Sequence, residues 1–469
     1  MPVTTIHNDY EKQKTKWKRC RHAVEGSDAI KDEAATYLPV PSGMTASNPK
    51  YMSYKTRSKW FPATSRTLEG LEGEVFRNPP RIDDADALED ALKDVTLTGQ
   101  TFNQYARQAL QHRLVAGRFG TLVEWSDKLQ RPYLIGYTAE NIINWRSITT
   151  GEGQKLTMVV LQELVGQEPE DEFDTQQIVQ LRALTIDQAS GVYVSRIYQT
   201  KELMVDGTKS VEPTLVSESV PTMRGEALTK IPFIFHGVSE NSSAIEKPPM
   251  LDLVDLNIAD FRNSADLEHG RHFCGLPFYY IFGATELEDD EAELEIGSSA
   301  AFTSSNADCK AGIIEFSGQG LGALEKAREE NRTEMALMGA RLMEEAKKTG
   351  ETAEALARRQ SGKLSVLQAM VEVQNEAHED ELNTMLMWLG QTDADATVHL
   401  NKDFTVSKLE PQDLQALVAS WQAGAISSRT LFENLQNGEI ISQDRGYEEE
   451  QALIDEEAPV MEPSLGLAG

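Results

Sequence analysis

Residues 250–273 read MLDLVDLNIADFRNSADLEHGRHF, and this stretch decides the fold. Pro248 and Pro249 precede it and Gly275 and Pro277 follow it, so residues that interrupt helices bound it on both sides. The stretch is predicted to form one helix of about 36 Å, at 1.5 Å per residue. Its apolar residues recur every three to four positions, at Met250, Leu253, Val254, Ile258, Phe261 and Ala265.

Two more long helices are predicted downstream. A small β region comes first, with an acidic segment among strands expected near 278–282, 294–302 and 312–316. A glycine-rich break at 318–322 then opens a helix that runs to about Ala346. Residues 347–350, KKTG, are predicted to form a hinge, and the last long helix is expected from about Thr352 to Leu389.

The chain before residue 248 is predicted to be an α+β region. Helices are expected at 9–25, at 48–77 with an interruption near Pro62, and at 98–117. Seven strand patterns predict a mainly antiparallel sheet, at 121–125, 132–137, 142–148, 156–164, 177–184, 192–198 and 231–236. The C-terminal part is expected to add a strand at 396–400 and helices at 411–422, 428–437 and 444–455. The predicted fold class is α+β, predominantly helical.

The strong acidity of the chain limits its partners. Its 469 residues include 45 Lys and Arg against 75 Asp and Glu, which gives a net charge of −30. This argues against a protein that wraps nucleic acid with a basic face, because such binding is largely phosphate neutralisation. The negative charge is compatible with a protein that lets DNA move past it without binding the DNA tightly. The acids concentrate at 276–318, where Lys310 accompanies nine of them, and at 439–469, where Arg445 accompanies nine more.

The sequence also bears on the compartment. No segment approaches the roughly 20 apolar residues of a membrane span, and the first 21 residues lack the apolar core of a secretory signal. Cys20, Cys274 and Cys309 lie far apart and match neither a disulfide framework nor a CxxC zinc pair. We therefore expect a soluble, cytosolic protein.

Two glycine motifs formally match nucleotide-binding signatures. Gly318, Gly320 and Ala323 fit the dinucleotide fingerprint GxGxxA, but a hinge and another helix follow instead of a second parallel strand. A flexible strand-to-helix joint is the favoured interpretation. Residues 361–364, SGKL, resemble the end of a P-loop, but Leu364 stands where a Ser or Thr would hold Mg²⁺.

The sequence gives little indication of a metal site or a catalytic site. His269, His272 and Cys274 could present metal ligands from one part of a helix, but no further His/Cys pair nearby completes four ligands. A helix C-terminus also favours His for electrostatic reasons. The GxSxG and HExxH signatures are missing from the sequence. We predict no catalytic residues, no metal site, no cofactor and no enzymatic activity.

Several short sequence motifs occur along this predicted order of helices and strands. A Tyr37-Leu38-Pro39 segment precedes a helix with Tyr51, Tyr54 and Arg57. Further phrases are LEGLEGEVF (68–76), AGRFGTLVE (116–124), YTAENIINW (137–145), IPF (231–233), GQGLGAL (318–324), MGARL (338–342) and ETA (351–353). In combination, over roughly residues 10–440, they resemble the portal (head-to-tail connector) proteins of tailed bacteriophages. The C-terminus is shorter than in larger relatives, and leaves no room for a long helical barrel.

The resemblance implies a portal fold and its division of the chain. The implied parts are a wing (1–248), a stem helix (249–275), a clip (276–317), a second stem helix (318–346), a tunnel loop (347–362), a long helix (363–395), and a crown with an acidic C-terminal tail (396–469).

The resemblance also implies a role in the virion. It implies a ring, usually of twelve subunits, at one capsid vertex, assembled in the host cytoplasm. The ring would be the channel for genome packaging and ejection, with transient, non-specific contacts to double-stranded DNA. Implied partners are the large terminase subunit, head-tail adaptor and tail proteins, and capsid and scaffold proteins, without a membrane.

The portal resemblance implies roles for three groups of residues. The tunnel loop would touch DNA through Lys347, Lys348, Thr349 and Gly350. The clip would repel phosphates in the channel and dock partners through Glu286, Glu288, Asp289, Asp290, Glu291 and Glu293, since like charges about 10 Å apart are only partly screened. A helix that is apolar around much of its circumference must bury those residues. We therefore expect subunit contacts at Leu253, Val254, Asn257 and Phe261.

A competing interpretation needs no phage. The chain could be a non-viral helical scaffold or adaptor whose acidic tail keeps it in solution. The formation of a ring would separate the two, because a scaffold has no reason to close around an axial hole.

Overall fold

The computed structural model describes residues 2–43, 45–151, 153–166, 177–205, 208–275, 278–282, 308, 310–314, 318–343, 365–393, 395–402, 404, 411–437, 440–441 and 445–457. Helices and strands both contribute substantially, which confirms the α+β class. The chain divides into two compact units, Met1–Gly73 with Ile82–Val398, and Glu74–Arg81 with His399–Gly469. Among the described residues, every helix is too short or too polar to span a membrane.

The N-terminal quarter is mostly helical, as predicted. Pro62 separates two helices where the sequence indicated an interruption. The elements are α1 (Asn8–Glu25), α2 (Ser27–Asp32), α3 (Ala34–Tyr37), α4 (Pro49–Arg57), α5 (Ala63–Val75), a short strand β1 (Arg81–Asp83), α6 (Glu89–Leu92) and α7 (Phe102–Ala116).

Both ends of α7 are specified by local chemistry. Thr101 and Gln104 form a capping box at its start, where each side chain accepts a hydrogen bond from the other residue's backbone N–H. Gly117 ends the helix with φ of +70°, in the left-handed region that favours glycine. A Cβ at Gly117 would also lie 3.0 Å from the carbonyl oxygen of Glu246. Glycine is therefore required for conformation and for space.

Two antiparallel sheets follow and share one apolar core, which includes Leu122, Tyr137, Leu161, Leu184 and Phe233. In the first, β2 (Phe119–Ser126) lies between β3 (Arg131–Thr138) and β11 (Phe233–His236). The second has the order β4 (Ile142–Thr150), β5 (Gly153–Gly166), β6 (Gln177–Ile186), β7 (Tyr193–Val205) and β8 (Thr208–Ser219). A small ladder joins β9 (Thr222–Met223) to β10 (Glu226–Ala227).

All seven strands predicted in this region are present, with ends shifted by a few residues. Strand β8 and the β9–β10 ladder were not predicted. The signal that could have revealed β8 is Asp206-Gly207, a dipeptide typical of two-residue hairpin loops, just before Thr208.

The three long helices are α8 (Leu251–Gly275), α9 (Leu321–Met343) and α10 (Val366–Leu389), with β12 (Phe278–Phe282) and β13 (Lys310–Ile314) between the first two. Helix α8 buries polar as well as apolar residues. The side-chain oxygen of Asn257 accepts a hydrogen bond of 2.9 Å from the Thr64 hydroxyl, and the Ser264 hydroxyl accepts one of 3.0 Å from the backbone N–H of Lys59. Each buried polar group thus has a partner on a different segment, as burial requires.

The described residues of the second unit form the helices α11 (Pro411–Gln422), α12 (Ser428–Asn437) and α13 (Tyr447–Glu457), close to their predicted bounds. Strand β14 (Thr397–His399) precedes them. The indole N–H of Trp421 donates a hydrogen bond of 3.1 Å to the Ser428 hydroxyl, which joins the first two helices. The rings of Phe432 and Tyr447 pack with centroids 5.5 Å apart and join the second to the third.

Candidate functional site

Helices α8 and α9 lie antiparallel against each other. Near the end of α8, the Arg271 guanidinium donates a hydrogen bond of 2.6 Å to Glu325, early in α9. Eleven residues earlier on α8, the Asp260 carboxylate accepts hydrogen bonds of 3.1 and 3.3 Å from Arg328. The side chains of Asp260 and Arg328 are 0% and 10% exposed. Removing either partner would leave a buried charge unpaired, so this ion pair fixes the two helices to each other.

A β ladder lies between the two helices in sequence. Strand β12 follows α8 and β13 precedes α9, and they pair antiparallel from Phe278 opposite Ile314 to Phe282 opposite Lys310. The predicted strand at 278–282 is therefore confirmed. The acidic residues predicted to face the channel lie outside the described residues, namely Glu286, Glu288, Asp289, Asp290, Glu291 and Glu293.

The predicted tunnel loop lies outside the described residues as well, with Lys347, Lys348, Thr349 and Gly350. Helix α9 is described to Met343, and α10 begins after Ser365, whose side chain forms a capping box with Gln368. The last long helix is therefore confirmed from Val366 to Leu389. Its predicted first part, from Thr352, falls among residues that are not described.

The residues predicted to contact a neighbouring subunit are covered within the chain itself. Leu253 is 3% exposed, and Val254, Asn257 and Phe261 are fully buried. Phe261 packs edge-on against Trp60, with ring centroids 5.9 Å apart. Periodicity correctly indicated burial on α8, but the covering side chains come from the same chain. The argument for subunit contacts at these four residues therefore no longer holds.

The three candidate metal ligands at the end of α8 do not converge. The His269 ring packs edge-on against Tyr54, with centroids 5.1 Å apart. The imidazole of His272 lies 2.9 Å from a guanidinium nitrogen of Arg57, and Cys274 lies beside Gly318. Gly318 has φ of +66° and lies in the turn before α9. These residues join α8 to α4 and to the start of α9, which fits the structural interpretation of both motifs.

A buried polar cluster joins α10 to the three-stranded sheet, and sequence analysis missed it. His378 and Glu381, one turn apart on α10, meet His236 at the end of β11, and all three are fully buried. Nδ1 of His378 lies 2.7 Å from Oε2 of Glu381, and Nε2 of His236 lies 2.8 Å from Oε1. The cluster continues through the Thr121 hydroxyl, 2.8 Å from His236, to the Tyr105 hydroxyl at 2.6 Å.

Electrostatics favour an ionised carboxylate in this cluster. Burial alone would raise the pKa of Glu381, but His378 and His236 outweigh burial and hold it at about 2. Burial lowers the pKa of His236, against the opposing effect of Glu381, so its imidazole favours the neutral form. The arrangement is a buried carboxylate between two imidazoles.

The cluster has the residue types of a metal site but not its spacing. Two imidazoles and a carboxylate are common zinc ligands. Ligand atoms around a tetrahedral zinc, bound at about 2.0–2.1 Å, lie about 3.3 Å apart. The nitrogen–oxygen separations of 2.7 and 2.8 Å are those of direct polar contacts. Both separations are shorter than that spacing, so these residues fit direct polar contact between side chains better than a bound metal ion.

Arg113 of α7 connects α10 to the end of β11 by a second set of contacts. Its fully buried guanidinium donates hydrogen bonds of 3.0 Å to the Gln374 side chain and to the carbonyl of Met370, and one of 2.7 Å to the carbonyl of Gly237. Gln374 in turn donates to the carbonyl of Ala106 at 2.8 Å. The first half of α10 is thus held by polar contacts on two faces.

One family model matches part of this region. The family "Domain of unknown function (DUF4055)" matches residues 249–389, which run from α8 to the end of α10. No curated protein matches the chain.

The solved structures that the chain resembles include three from gene transfer agent particles. One is a chain of the virion of a native particle, with 13% identity over 84% of this chain and 94% of that chain. Another is from the neck of an empty particle, computed with C6 symmetry, with 14% identity over 89% and 99%. A third is from the neck of a native particle, computed with C12 symmetry, with 14% identity over 87% and 99%. All three have a TM-score of 0.39, too low to support an argument about function.

Proposed function

We propose that this chain is a portal subunit, which forms a ring at one vertex of a phage capsid and provides the channel for genome packaging and ejection. The observation that carries the proposal is the antiparallel α8–α9 pair, closed by the β12–β13 ladder, with an acidic insert between the two strands. The order of helix, ladder, helix and helix supports it, together with the portal-like phrases along the sequence. The subunit has no catalytic role in this proposal.

The charge distribution supports a channel for DNA. A duplex carries one phosphate charge about every 1.7 Å of its axis, so a basic lumen would hold it at every step. Residues 286–293 carry six acids, and a ring of such segments would repel phosphates and keep the duplex near the axis. Lys347 and Lys348 are the proposed exception, as a narrow basic collar that touches the passing backbone.

The lysine collar has a simple competing explanation, since lysines near a helix C-terminus favour the helix dipole by a few tenths of a kcal/mol. Lys347→Ala with Lys348→Ala separates the two. If the lysines touch DNA, rings assemble with unchanged thermal stability, while DNA retention or packaged length changes. Normal packaging with a lower melting temperature would assign them to the helix end instead.

The acidic insert is also the proposed docking surface for the large terminase subunit and head-tail adaptors. It lies between the two strands of a ladder in the sequence, so its removal shortens the segment that connects them and leaves α8 and α9 joined. Deletion of residues 286–293 should preserve ring mass and weaken capture of terminase or adaptor in a pull-down. Unchanged capture would place docking elsewhere.

Ring formation tests the proposal as a whole. Native mass spectrometry of the purified chain, with two-dimensional class averages from negative-stain microscopy, should show a closed multimer with an axial hole, twelve-fold in the virion. A scaffold or adaptor would give monomers, small oligomers or open assemblies. A chain that stays monomeric at low and physiological salt would reject the portal function.

A further inference from the structure

A short segment before α1 is docked on the five-stranded sheet. We call residues 2–7, PVTTIH, the N-terminal strap. Its backbone meets β4, the terminal strand of that sheet, where the N–H of His7 donates a hydrogen bond of 3.0 Å to the Ile143 carbonyl. The Asn144 side chain donates another, of 2.9 Å, to the carbonyl of Thr5. These contacts hold the strap against β4 immediately before α1 begins.

The side chain of His7 makes two further contacts. It is the N-cap of α1, since Nδ1 accepts a hydrogen bond of 3.1 Å from the backbone N–H of Asp9. An imidazole nitrogen can accept a hydrogen bond only while it carries no proton. The same ring stacks on Trp145 of β4, with centroids 4.0 Å apart and planes at 18°. One side chain therefore both caps the helix and docks the strap.

A buried cation lies behind this stack. The guanidinium of Arg118 is 3.9 Å from the Trp145 ring, and the residue is 1% exposed. It donates a hydrogen bond of 3.3 Å to the carbonyl of Ser243, which is a neutral acceptor. A proton on His7 would therefore bring a second positive charge towards Arg118. It would also place that charge at the N-terminal end of α1, where the helix dipole disfavours it.

The carboxylate of Asp9 acts in the opposite direction. Its Oδ2 lies 3.8 Å from Nδ1 of His7, but its Oδ1 is paired with Lys12 at 2.8 Å. Burial of the ring, with the charges of Arg118 and Lys12, outweighs Asp9 and lowers the pKa of His7 from its usual 6.5. Below pH 6.5, a released strap therefore binds a proton that the docked strap does not.

We propose that the N-terminal strap is a pH-sensitive switch, in which protonation of His7 releases residues 2–7 from β4 and removes the cap of α1. The docked strap is fully stabilised by neutral His7 above pH 6.5, and this contribution is lost as the pH falls below that value. Release uncovers the Trp145 ring and frees the carbonyl of Ile143. The switch lies within one subunit and does not depend on the formation of a ring.

Hydrogen exchange measured by mass spectrometry tests the switch in the full chain. Rates at pH 7.5 and 5.5, each corrected for the intrinsic rate at that pH, give the protection of peptides from residues 2–12. Protection in the wild type should fall by up to about tenfold per pH unit below 6.5, the limit for the uptake of one proton. Peptides from α7 should keep their protection. Equal protection of residues 2–12 at both pH values would overturn the proposal.

His7→Asn identifies the group that titrates. Asparagine is a preferred N-cap residue whose side chain accepts a hydrogen bond but does not titrate, so protection should be the same at both pH values. His399→Asn, the same substitution at an exposed position of β14, is the matched control and should show the wild-type fall. A fall of wild-type size in His7→Asn would assign the acid effect to another group and overturn the proposal.

A second measurement leaves the side chain unchanged, because asparagine cannot stack on Trp145 as imidazole does. Exchange of the imidazole C2 hydrogen, followed by mass spectrometry from pH 4 to 8, gives the pKa of His7 in the wild type. A value below 6.5 is expected. A value at or above 6.5 would overturn the switch whatever the variant shows, because protonation would then not favour release.

Discussion

The carboxylate of Asp260 and the guanidinium of Arg328 form a buried ion pair between positions 68 residues apart in the sequence. The pair connects the helix before the acidic insert to the helix after it. The insert can therefore be long and strongly charged without separating α8 from α9.

We expect Arg328→Leu to destabilise the chain by about 3–5 kcal/mol, because the Asp260 carboxylate would be left buried without its partner. The double variant Asp260→Leu with Arg328→Leu should recover most of that loss, since no charge stays buried. Urea unfolding of the two single variants and the double variant measures this coupling. Additive losses would show that the two side chains contribute independently.

Glu381→Gln tests the buried cluster on α10. The substitution keeps the size of the side chain but replaces an acceptor by a group that also donates, next to two imidazoles. We expect a loss of about 1–3 kcal/mol in unfolding free energy. Glu376→Gln, at an exposed position on the same helix, is the control and should change stability by less than about 0.5 kcal/mol. Equal effects would mean that the Glu381 charge is unimportant.

The environment of His112 predicts that the folded protein loses stability in acid. Burial, together with Arg21, whose guanidinium lies 2.7 Å from Nδ1, lowers the His112 pKa from 6.5 to about 4. The unfolded chain therefore binds a proton between pH 6.5 and 4 that the folded chain does not. Stability contributed by neutral His112 is present above pH 6.5 and is lost as the pH falls through this window, by up to about 1.4 kcal/mol per pH unit.

His112→Asn should make the dependence of stability on pH in this window shallower, as measured by melting temperature from pH 7 to 4. An unchanged slope would assign the acid sensitivity to other groups, such as His236, whose pKa burial also lowers.

Gly117→Ala should cost about 1–3 kcal/mol, because φ of +70° strains a residue with a Cβ and the backbone of residues 246–248 leaves it little room. Gly70→Ala is the matched comparison. Gly70 lies inside α5 with no atom near the position of an added Cβ, so alanine should stabilise by about 0.5–1 kcal/mol. Thermal unfolding of both variants measures the difference, and equal shifts of the same sign would contradict it.

Much of the fold could be predicted from the local periodicity of the sequence. It placed α8 within two residues of its observed ends and identified all seven predicted strands of the N-terminal region, because spacing and turn residues act over short distances. It could not show that β2 pairs with β11, since that contact joins Leu122 to Phe233. Periodicity also indicates which side chains are buried but not what covers them. For that reason Phe261 was assigned to a subunit contact and is found against Trp60.

The buried cluster escaped prediction for the same reason. His378 and Glu381 are one turn apart on a predicted helix, a spacing that places both on one face. Their third partner, His236, is 142 residues away on the last strand of the sheet. Only the packing of α10 on β11 brings the three together.

The polar residues buried along α8 restrict how the neighbouring segments can align with this helix. Asn257, Asp260 and Ser264 are each matched to a different segment, so a slip of one turn in any neighbour would leave at least one of them without its partner. Apolar contacts tolerate such a slip, because one leucine can replace another against the same surface. A chain with leucine at these three positions could bury as much apolar area and be more stable, yet would have nothing to distinguish the correct alignment from one shifted by about 5.4 Å.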